Sequence, residues 1–338
     1  MKSYIRAITS YLPEKIISNE DLDKLHPEWN IHELAKITGV MQRHVAGEND
    51  LASDYAFTVA EQLFDESGIS RNEIDFVLFN SYSPDYLSPN TACILQDKLG
   101  IPTHAGAIDF NVGCTGFVYG LSIANGLVVS GACKNVLFIT ADVTTKYLHP
   151  GDKSTWTLFG DGAAACIVSE KTKDDTGEIN SFVLGSDGRG HKNIIIKNGG
   201  AKQPLRQMNA PDITDNYGNT VNDNCIKMNG SAVFLFSIKT APKMIKQLLE
   251  KENLIPENID RVVFHQASKY ILQNIAKKTG FGSEQYRLDL EKVGNIVASS
   301  IPTALHHDIQ EGKIKQGDTL LLASFGVGFS WAGTILKW

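Results

Sequence analysis

Cys114 stands in the stretch Asp-Phe-Asn-Val-Gly-Cys-Thr-Gly-Phe, between a short apolar strand and a strongly apolar helix. His265 lies in Val-Val-Phe-His-Gln-Ala-Ser, and Asn295 in Val-Gly-Asn-Ile-Val-Ala-Ser-Ser. Each of the three ends a strand or turn and faces the start of a helix. A thiol, an imidazole and a carboxamide placed in this way suit the formation and use of a covalent acyl-thioester.

The elements around them are legible from spacing. After Cys114, the apolar residues Phe117, Leu121, Ala124 and Val128 recur at helical intervals, and Gly131 marks a stop. That puts Cys114 at a helix N-terminus, where unpaired backbone N–H groups and the positive end of the macrodipole favour a thiolate. Gly113 and Gly116 let backbone and ligand approach closely. His265 follows the β-branched pair Val262–Val263 and precedes a helix carrying Ile271, Leu272, Ile275 and Ala276, stopped by Gly280. A histidine at the carboxyl end of a strand opens into the crevice where α/β sheets bind ligands. Asn295 precedes a helix with Ser299 and Ser300 near its start and Pro302 in its first turn.

The chain also repeats itself. Gln62-Leu63-Phe64-Asp65 matches Gln247-Leu248-Leu249-Glu250, Ile74–Asn80 matches Ile259–His265, and Ser83 matches Ser268, all at one constant offset. At a slightly different offset, Val112-Gly113-Cys114 matches Val293-Gly294-Asn295, and Ser130-Gly131 matches Glu311-Gly312. Both halves close with a glycine loop and a β-like run, Phe159-Gly-Asp-Gly into Ala-Ala-Ala-Cys-Ile-Val and Phe325-Gly-Val-Gly into Ser-Trp-Ala-Gly-Thr-Ile-Leu. A duplicated unit of this length is no solenoid repeat. Its strand–helix alternation predicts a mostly parallel sheet covered by helices. The repeat makes Cys114 equivalent to Asn295 and Asn80 equivalent to His265. Two units related by a local two-fold bring such loops to one site. Residues 186–228, rich in Gly, Pro, Asn and Asp, read as an irregular insertion of surface loops over the repeat, one that contacts substrate or partner.

Bulk properties exclude other classes. The 338 residues, 42% hydrophobic and 21% charged, describe an ordinary globular chain. A net charge of −6 argues against nucleic acid as partner, although local basic patches remain open to an acidic protein. The five cysteines form no CxxC motif and are odd in number, the usage of reduced cytoplasmic thiols. The N-terminus has no uninterrupted apolar core of a signal peptide, and no apolar run reaches the roughly 20 residues of a membrane span. Cys93, Cys133, Cys166 and Cys225 read as small buried hydrophobes. The remaining histidines, His306–His307 included, read as helix-surface residues, and no spacing predicts a metal site. Gly185-Ser-Asp-Gly-Arg-Gly190 lacks the order and context of a dinucleotide fingerprint and reads as a loop.

Taken with Leu-Pro-Glu-Lys near the start, Thr-Gly-Val followed by Arg-His-Val-Ala, Phe-Gly-Asp-Gly-Ala-Ala, Ser-Ser-Ile-Pro-Thr-Ala-Leu and the ending Ser-Phe-Gly-Val-Gly-Phe-Ser-Trp, these segments resemble β-ketoacyl-[acyl-carrier-protein] synthase III over nearly the whole chain. The resemblance implies a thiolase-like fold: two duplicated mixed-sheet α/β halves, residues 1–175 and 176–338, packed as a five-layered αβαβα sandwich. It implies a cytoplasmic homodimer that condenses an acyl thioester with malonyl-acyl-carrier protein, with loss of CO₂, in fatty acid or related lipid or polyketide biosynthesis. The primer is an acyl-CoA or an acyl-carrier protein, and no cofactor is needed beyond these CoA or phosphopantetheine thioesters. By the same resemblance Cys114 is the acyl-accepting nucleophile, His265 and Asn295 hydrogen-bond the malonyl thioester carbonyl, and the backbone N–H groups of Cys114 and Val327 form the oxyanion hole. Phe325 shapes the malonyl site, Trp29, Lys153 and Ser268 contact substrate, Lys269 docks the carrier protein, and Leu87 and Ser88 cap the pocket of a neighbouring copy.

Several positions depart from the family pattern. Members primed by a CoA thioester carry a Trp and an Arg before the Thr-Gly. Here those positions are Glu33 and Ile37, with Trp29 one helical turn earlier. A family arginine before Phe-Gly-Asp-Gly is Lys153, His-Gln-Ala-Asn becomes His-Gln-Ala-Ser with Ser268, and a docking arginine is Tyr270 beside Lys269. These changes point away from acetyl-CoA as primer. Two other functions stay open at this level: an acyltransferase that moves the Cys114-bound acyl group to an O, N or S nucleophile without decarboxylation, and a catalytically silent scaffold.

Overall fold

The structure, a computed structural model, describes residues 2–170, 176–204 and 210–338. Nine strands form one hydrogen-bonded sheet. Its order is Arg261–Phe264, Thr319–Gly326, Ser330–Lys337, Glu178–Ser186, Tyr4–Tyr11, Gly162–Ser169, Asn135–Asp142, Phe76–Asn80, Gly106–Phe110. At the seam between the halves the register shows Tyr4 opposite Glu178. Reading outward from that seam, each half repeats the same sequence of first strand, last strand, then the strands of two parallel crossovers. The outermost place of the C-terminal half is reduced to a parallel bridge between Tyr286 and Val262, the counterpart of Gly106–Phe110.

The repeat extends to fine detail. The helices Ala52–Ser67 and Gly230–Lys251 are followed by the 3₁₀ turns Arg71–Glu73 and Pro256–Asn258 and then by the strands Phe76–Asn80 and Arg261–Phe264. The expected mostly parallel sheet is corrected to a mixed one. Phe76–Asn80 runs parallel to both its neighbours, but Asn135–Asp142, Gly162–Ser169 and Tyr4–Tyr11 pair antiparallel, and the C-terminal half does the same. The last two strands of each unit are joined without a long crossover helix, through the short turns Thr144–Tyr147 and Lys153–Trp156 in one half and a tight loop in the other, as antiparallel neighbours permit.

Helices separate the layers. Ala52–Ser67 and Thr91–Lys98 cover the outer face of the N-terminal half, and Gly230–Lys251 with Lys269–Thr279 cover the outer face of the C-terminal half. Gly116–Val129 and Ser300–Gln310 lie between and touch strands of both halves. The middle layer is sealed by Phe117, Val118 and Leu121 against Leu320, Leu322 and Ala332. A helix squeezed between the two halves of the sheet must be apolar on every side, and Gly-Phe-Val-Tyr-Gly-Leu-Ser-Ile-Ala-Asn-Gly-Leu-Val-Val is nearly so. The strands Gly162–Ser169 and Thr319–Gly326 are buried throughout, as continuous apolar runs covered on both faces should be.

Residues 186–228 are not an addition peculiar to one half. The N-terminal half has its own excursion, residues 12–51, at the same place between first strand and first long helix. Within 186–228 the chain makes the short pairings of Ile194–Ile195 with Lys227–Met228 and of Ile213–Thr214 with Thr220–Val221. The boundary drawn after residue 175 falls at residues outside those described. Among the described residues, no helix is long and apolar enough to cross a membrane.

Candidate active site

Cys114 sits in the loop that leaves the strand Gly106–Phe110, two residues before the first residue of the Gly116–Val129 helix, and is 8% exposed. Gly116 is needed there for close approach: a Cβ on it would lie 2.3 Å from Asn80 Nδ2. The helix N-terminus does not by itself generate a thiolate. Burial pushes the Cys114 thiol up to about 11, and the backbone N–H groups of Val327 and of Cys114 itself, which face the sulfur, draw it part of the way back.

His265 follows the last residue of the strand Arg261–Phe264 and is 1% exposed. Its Nδ1 lies 2.7 Å from Ser300 Oγ. Burial pushes the imidazole pKa down to about 4, so the ring is neutral at ordinary pH. The Ser300 hydroxyl accepts from the Gln266 N–H at 3.3 Å and has two acceptors in reach, His265 Nδ1 and the Val297 carbonyl at 2.8 Å.

Asn295, 3% exposed, is fixed on both sides. Its N–H donates to Leu158 O and its carbonyl accepts from Gly160 N–H, which stitches it to the loop after the Lys153–Trp156 turn. Its Oδ1 accepts from Val297 N–H at 3.0 Å, so the carboxamide turns its Nδ2 donors the other way. Val297 thus donates its N–H to Asn295 and accepts through its carbonyl from the Ser300 hydroxyl beside His265. It does so at φ 52°, a strained conformation for a β-branched residue of the kind that gathers at functional sites.

The loop Phe325-Gly326-Val327 closes the constellation. The Phe325 ring meets the His265 ring edge-on, with centroids 6.0 Å apart. Gly326 leaves room for the thiol, since a Cβ on it would lie 2.5 Å from Cys114 Sγ. A Cβ on Gly113 would lie 2.5 Å from Val327 Cγ1 and 3.7 Å from Val297 Cγ1, so the loops carrying nucleophile, carboxamide and Val327 amide meet at one point.

The repeat-equivalent of His265 is bound to the backbone of its own half. Asn80 is fully buried, its Oδ1 accepting from Val112 N–H. Asp142 stands where Gly326 stands in the other half, each paired with the first residue of the following strand. Its carboxylate accepts from Tyr82 N–H and the Ser81 hydroxyl, and burial pushes its pKa up to about 7.

The other sequence-selected residues lie further out. Ser268 caps the Lys269–Thr279 helix, its Oγ accepting from Ile271 N–H. Lys269 is exposed at that helix start, packed against Gly39. Lys153 donates to the carbonyl of Tyr217 in the 186–228 excursion. Trp29 is buried against Leu22 and Ile31, with its ring stacked on His26, which leaves no open aromatic face of the kind a substrate contact requires. Leu87, 94% exposed, and Ser88 project on a surface loop. Cys93 is exposed and Cys225 half-buried, unlike the buried Cys133 and Cys166. His306 is buried and bonded to Ser10, and His307 bonds Asp289, so neither has the free surface role expected of it. Gly185 belongs to the strand Glu178–Ser186 rather than to a loop. Among the described residues, no group of three His, Cys, Asp or Glu side chains is placed to hold a metal.

Sequence reasoning noted Ser300 only as a residue near a helix start and missed Val297, Thr115 and Ser330 altogether. Ser300 offered one usable signal, a hydroxyl in the first turn of the helix that follows Asn295. The others act through backbone groups or a distant partner, which spacing does not reveal.

Comparison with known proteins agrees with this geometry. Residues 108–188 match the family model 3-Oxoacyl-[acyl-carrier-protein (ACP)] synthase III, and residues 249–338 match its C-terminal counterpart. A beta-ketoacyl-[acyl-carrier-protein] synthase III from Aliarcobacter butzleri is 36% identical over 336 residues, covering 98% of this chain and 96% of that protein. A crystal structure of a 3-oxoacyl-(acyl-carrier-protein) synthase III superposes with a TM-score of 0.96 at 40% identity over the full length of both chains. The synthase III from Thermus thermophilus gives 0.88 at 32% identity, over 99% of each chain. The chain belongs to the 3-oxoacyl-[acyl-carrier-protein] synthase III family and has its thiolase-like fold.

Proposed function

We propose that this protein is a condensing enzyme that joins an acyl thioester to malonyl-acyl-carrier protein and releases a β-ketoacyl-carrier protein and CO₂ in fatty acid biosynthesis. The observation that carries this reading is the pair of N–H groups, from Val327 and Cys114, directed at a buried thiol beside a neutral histidine and an oriented carboxamide.

In the first half-reaction the Cys114 sulfur attacks the primer's thioester carbon. The carbonyl oxygen takes the developing charge into the two N–H groups, and collapse expels the primer's thiolate, which leaves with the proton of Cys114. In the second, malonyl-carrier protein places its thioester carbonyl against donors from His265 and Asn295. Rotation of the Ser300 hydroxyl from the Val297 carbonyl to Nδ1 selects the tautomer with its proton on Nε2, and the low pKa of the ring keeps it a neutral donor. Loss of CO₂ leaves an enolate whose oxygen those donors stabilise. Its carbon attacks the acyl-Cys114 carbonyl, and collapse expels the Cys114 thiolate, which takes a proton from solvent to become the thiol again. Donors of this kind are worth about 10²–10³ in rate each. Phe325, edge-on to His265, walls the malonyl side. The chemistry needs no cofactor, because CO₂ release drives carbon–carbon bond formation.

Glu33 and Ile37, both exposed, offer neither an aromatic face nor a guanidinium, which supports a primer other than acetyl-CoA, carried by CoA or by a carrier protein. The exposed cations Lys269, Lys277 and Lys278 on one helix support docking of an acidic carrier protein. The exposure of Tyr86, Leu87 and Ser88 supports a homodimer in which this loop caps the neighbour's pocket. Free cysteines support a cytoplasmic location.

The test is to incubate the enzyme with a panel of acyl-CoA and acyl-carrier-protein thioesters, weigh the acyl-enzyme, then add malonyl-carrier protein labelled in its free carboxyl. Labelled CO₂ and a β-ketoacyl product are expected. Acyl transfer to another acceptor without CO₂ would replace condensation with simple acyl transfer.

A further inference from the structure

We infer that Thr115 and Ser330 are positioning residues, forming a hydroxyl relay that pins the Val327 carbonyl and, through the torsions of that residue, keeps the Val327 N–H on the reacting centre. Thr115 Oγ1 lies 2.8 Å from Ser330 Oγ, and Ser330 Oγ lies 2.7 Å from the Val327 carbonyl oxygen. A carbonyl only accepts, so the single Ser330 proton goes to Val327. The Thr115 proton must then go to Ser330. The direction is settled by proton count: Thr115 O–H to Ser330, Ser330 O–H to Val327 O.

Three further observations give the relay its purpose. Thr115 occupies the N-cap of the Gly116–Val129 helix, yet its side chain makes no capping bond. Threonine at that position ordinarily accepts from a first-turn N–H. Here the hydroxyl is turned away from its own helix to a residue of the other half. Both partners are buried, Thr115 completely. The segment they hold has little stiffness of its own, because Val327 stands between Gly326 and Gly328, the latter at φ 135°, a conformation that glycine alone adopts readily. A glycine-flanked amide aimed at Cys114 therefore gets its orientation from outside, from the residue next to the nucleophile.

This inference rests on the acyl-enzyme reading but is tested apart from malonyl chemistry. Two rates are measured on Cys114 by intact mass: acylation by an acyl thioester, which develops an oxyanion, and alkylation by iodoacetamide, which does not. Thr115→Val, close to isosteric, should lower the ratio of acylation to alkylation about 10–100-fold, the scale of a small misplacement of a catalytic group. The change should fall on kcat and not KM, and Thr115→Ser should restore it. Ser330→Ala should act likewise, and Thr115→Val/Ser330→Ala should be no worse than the poorer single variant. An unchanged ratio, equal slowing of both reactions, failure of Thr115→Ser to rescue, or multiplicative effects in the double variant would overturn the relay. A wild-type enzyme that acylates but releases no CO₂ would sink condensation while leaving this ratio readable.

Discussion

Ser300 Oγ lies 2.7 Å from Nδ1 of His265, and both side chains are buried. The hydroxyl decides which ring nitrogen carries the proton, and so whether the imidazole presents a donor or a bare lone pair to the substrate. Ser300→Ala should acylate at the wild-type rate and condense about 10–100-fold more slowly. His265→Ala should likewise keep acylation and lose condensation. Single-turnover acylation by mass and CO₂ release together check both. Full condensation by Ser300→Ala would remove it from the machinery.

The pKa of Cys114, up at about 11, predicts an unusual pH profile for a catalytic thiol. The thiol is neutral at pH 7, and its thiolate fraction grows about tenfold per pH unit. Alkylation of Cys114, followed by peptide mass in a Cys93→Ser background, should climb from pH 7 to 10 without levelling. A plateau beginning near pH 7 would show that the helix dipole outweighs burial.

Burial acts on stability with opposite signs at two buried groups. His265, down at about 4 when folded, takes up a proton below pH 6.5 only in the unfolded chain, so stability is lost as pH falls from about 6.5 to about 4. Asp142, up at about 7, contributes stability fully present below its ordinary 3.8 and lost as pH rises through 7. Melting temperatures across pH 4–8 should therefore show a shallower acid limb in His265→Ala and a shallower alkaline limb in Asp142→Asn. Parallel curves for variant and wild type would contradict the assignment.

Gly326→Ala places a methyl 2.5 Å from Cys114 Sγ, where the sulfur cannot stay. Acylation should fall at least about 100-fold, on the scale of displacing a reacting atom by an ångström. Gly200→Ala, in open space, is the control. A normally acylating Gly326→Ala would mean that the loop yields rather than the thiol.

Much of this was legible in the sequence because a duplication prints the same periodicity twice. The strand before His265, the helix after Cys114 and the equivalence of Asn80 with His265 all follow from apolar spacing and alignment of the halves. Strand direction did not follow, because a loop and a crossover can be equally polar, and only the pairing distinguishes them. The partners of the site residues were hidden for a different reason. Val297 contributes its N–H and its carbonyl, which every residue possesses, and Thr115 reaches Ser330 across most of the chain's length. His306 looked like a surface histidine because nothing nearby in sequence announces Ser10.

Three matching positions differ between the halves: Asn80, Cys114 and Asp142 in one, His265, Asn295 and Gly326 in the other. Two identical chains facing each other across a dyad would be forced to present two thiols or two carboxamides, and never one of each. Carrying both copies on a single polypeptide lifts that requirement. Each half is free to keep one tool, and what symmetry would have made two redundant half-equipped clefts becomes one chamber with a division of labour.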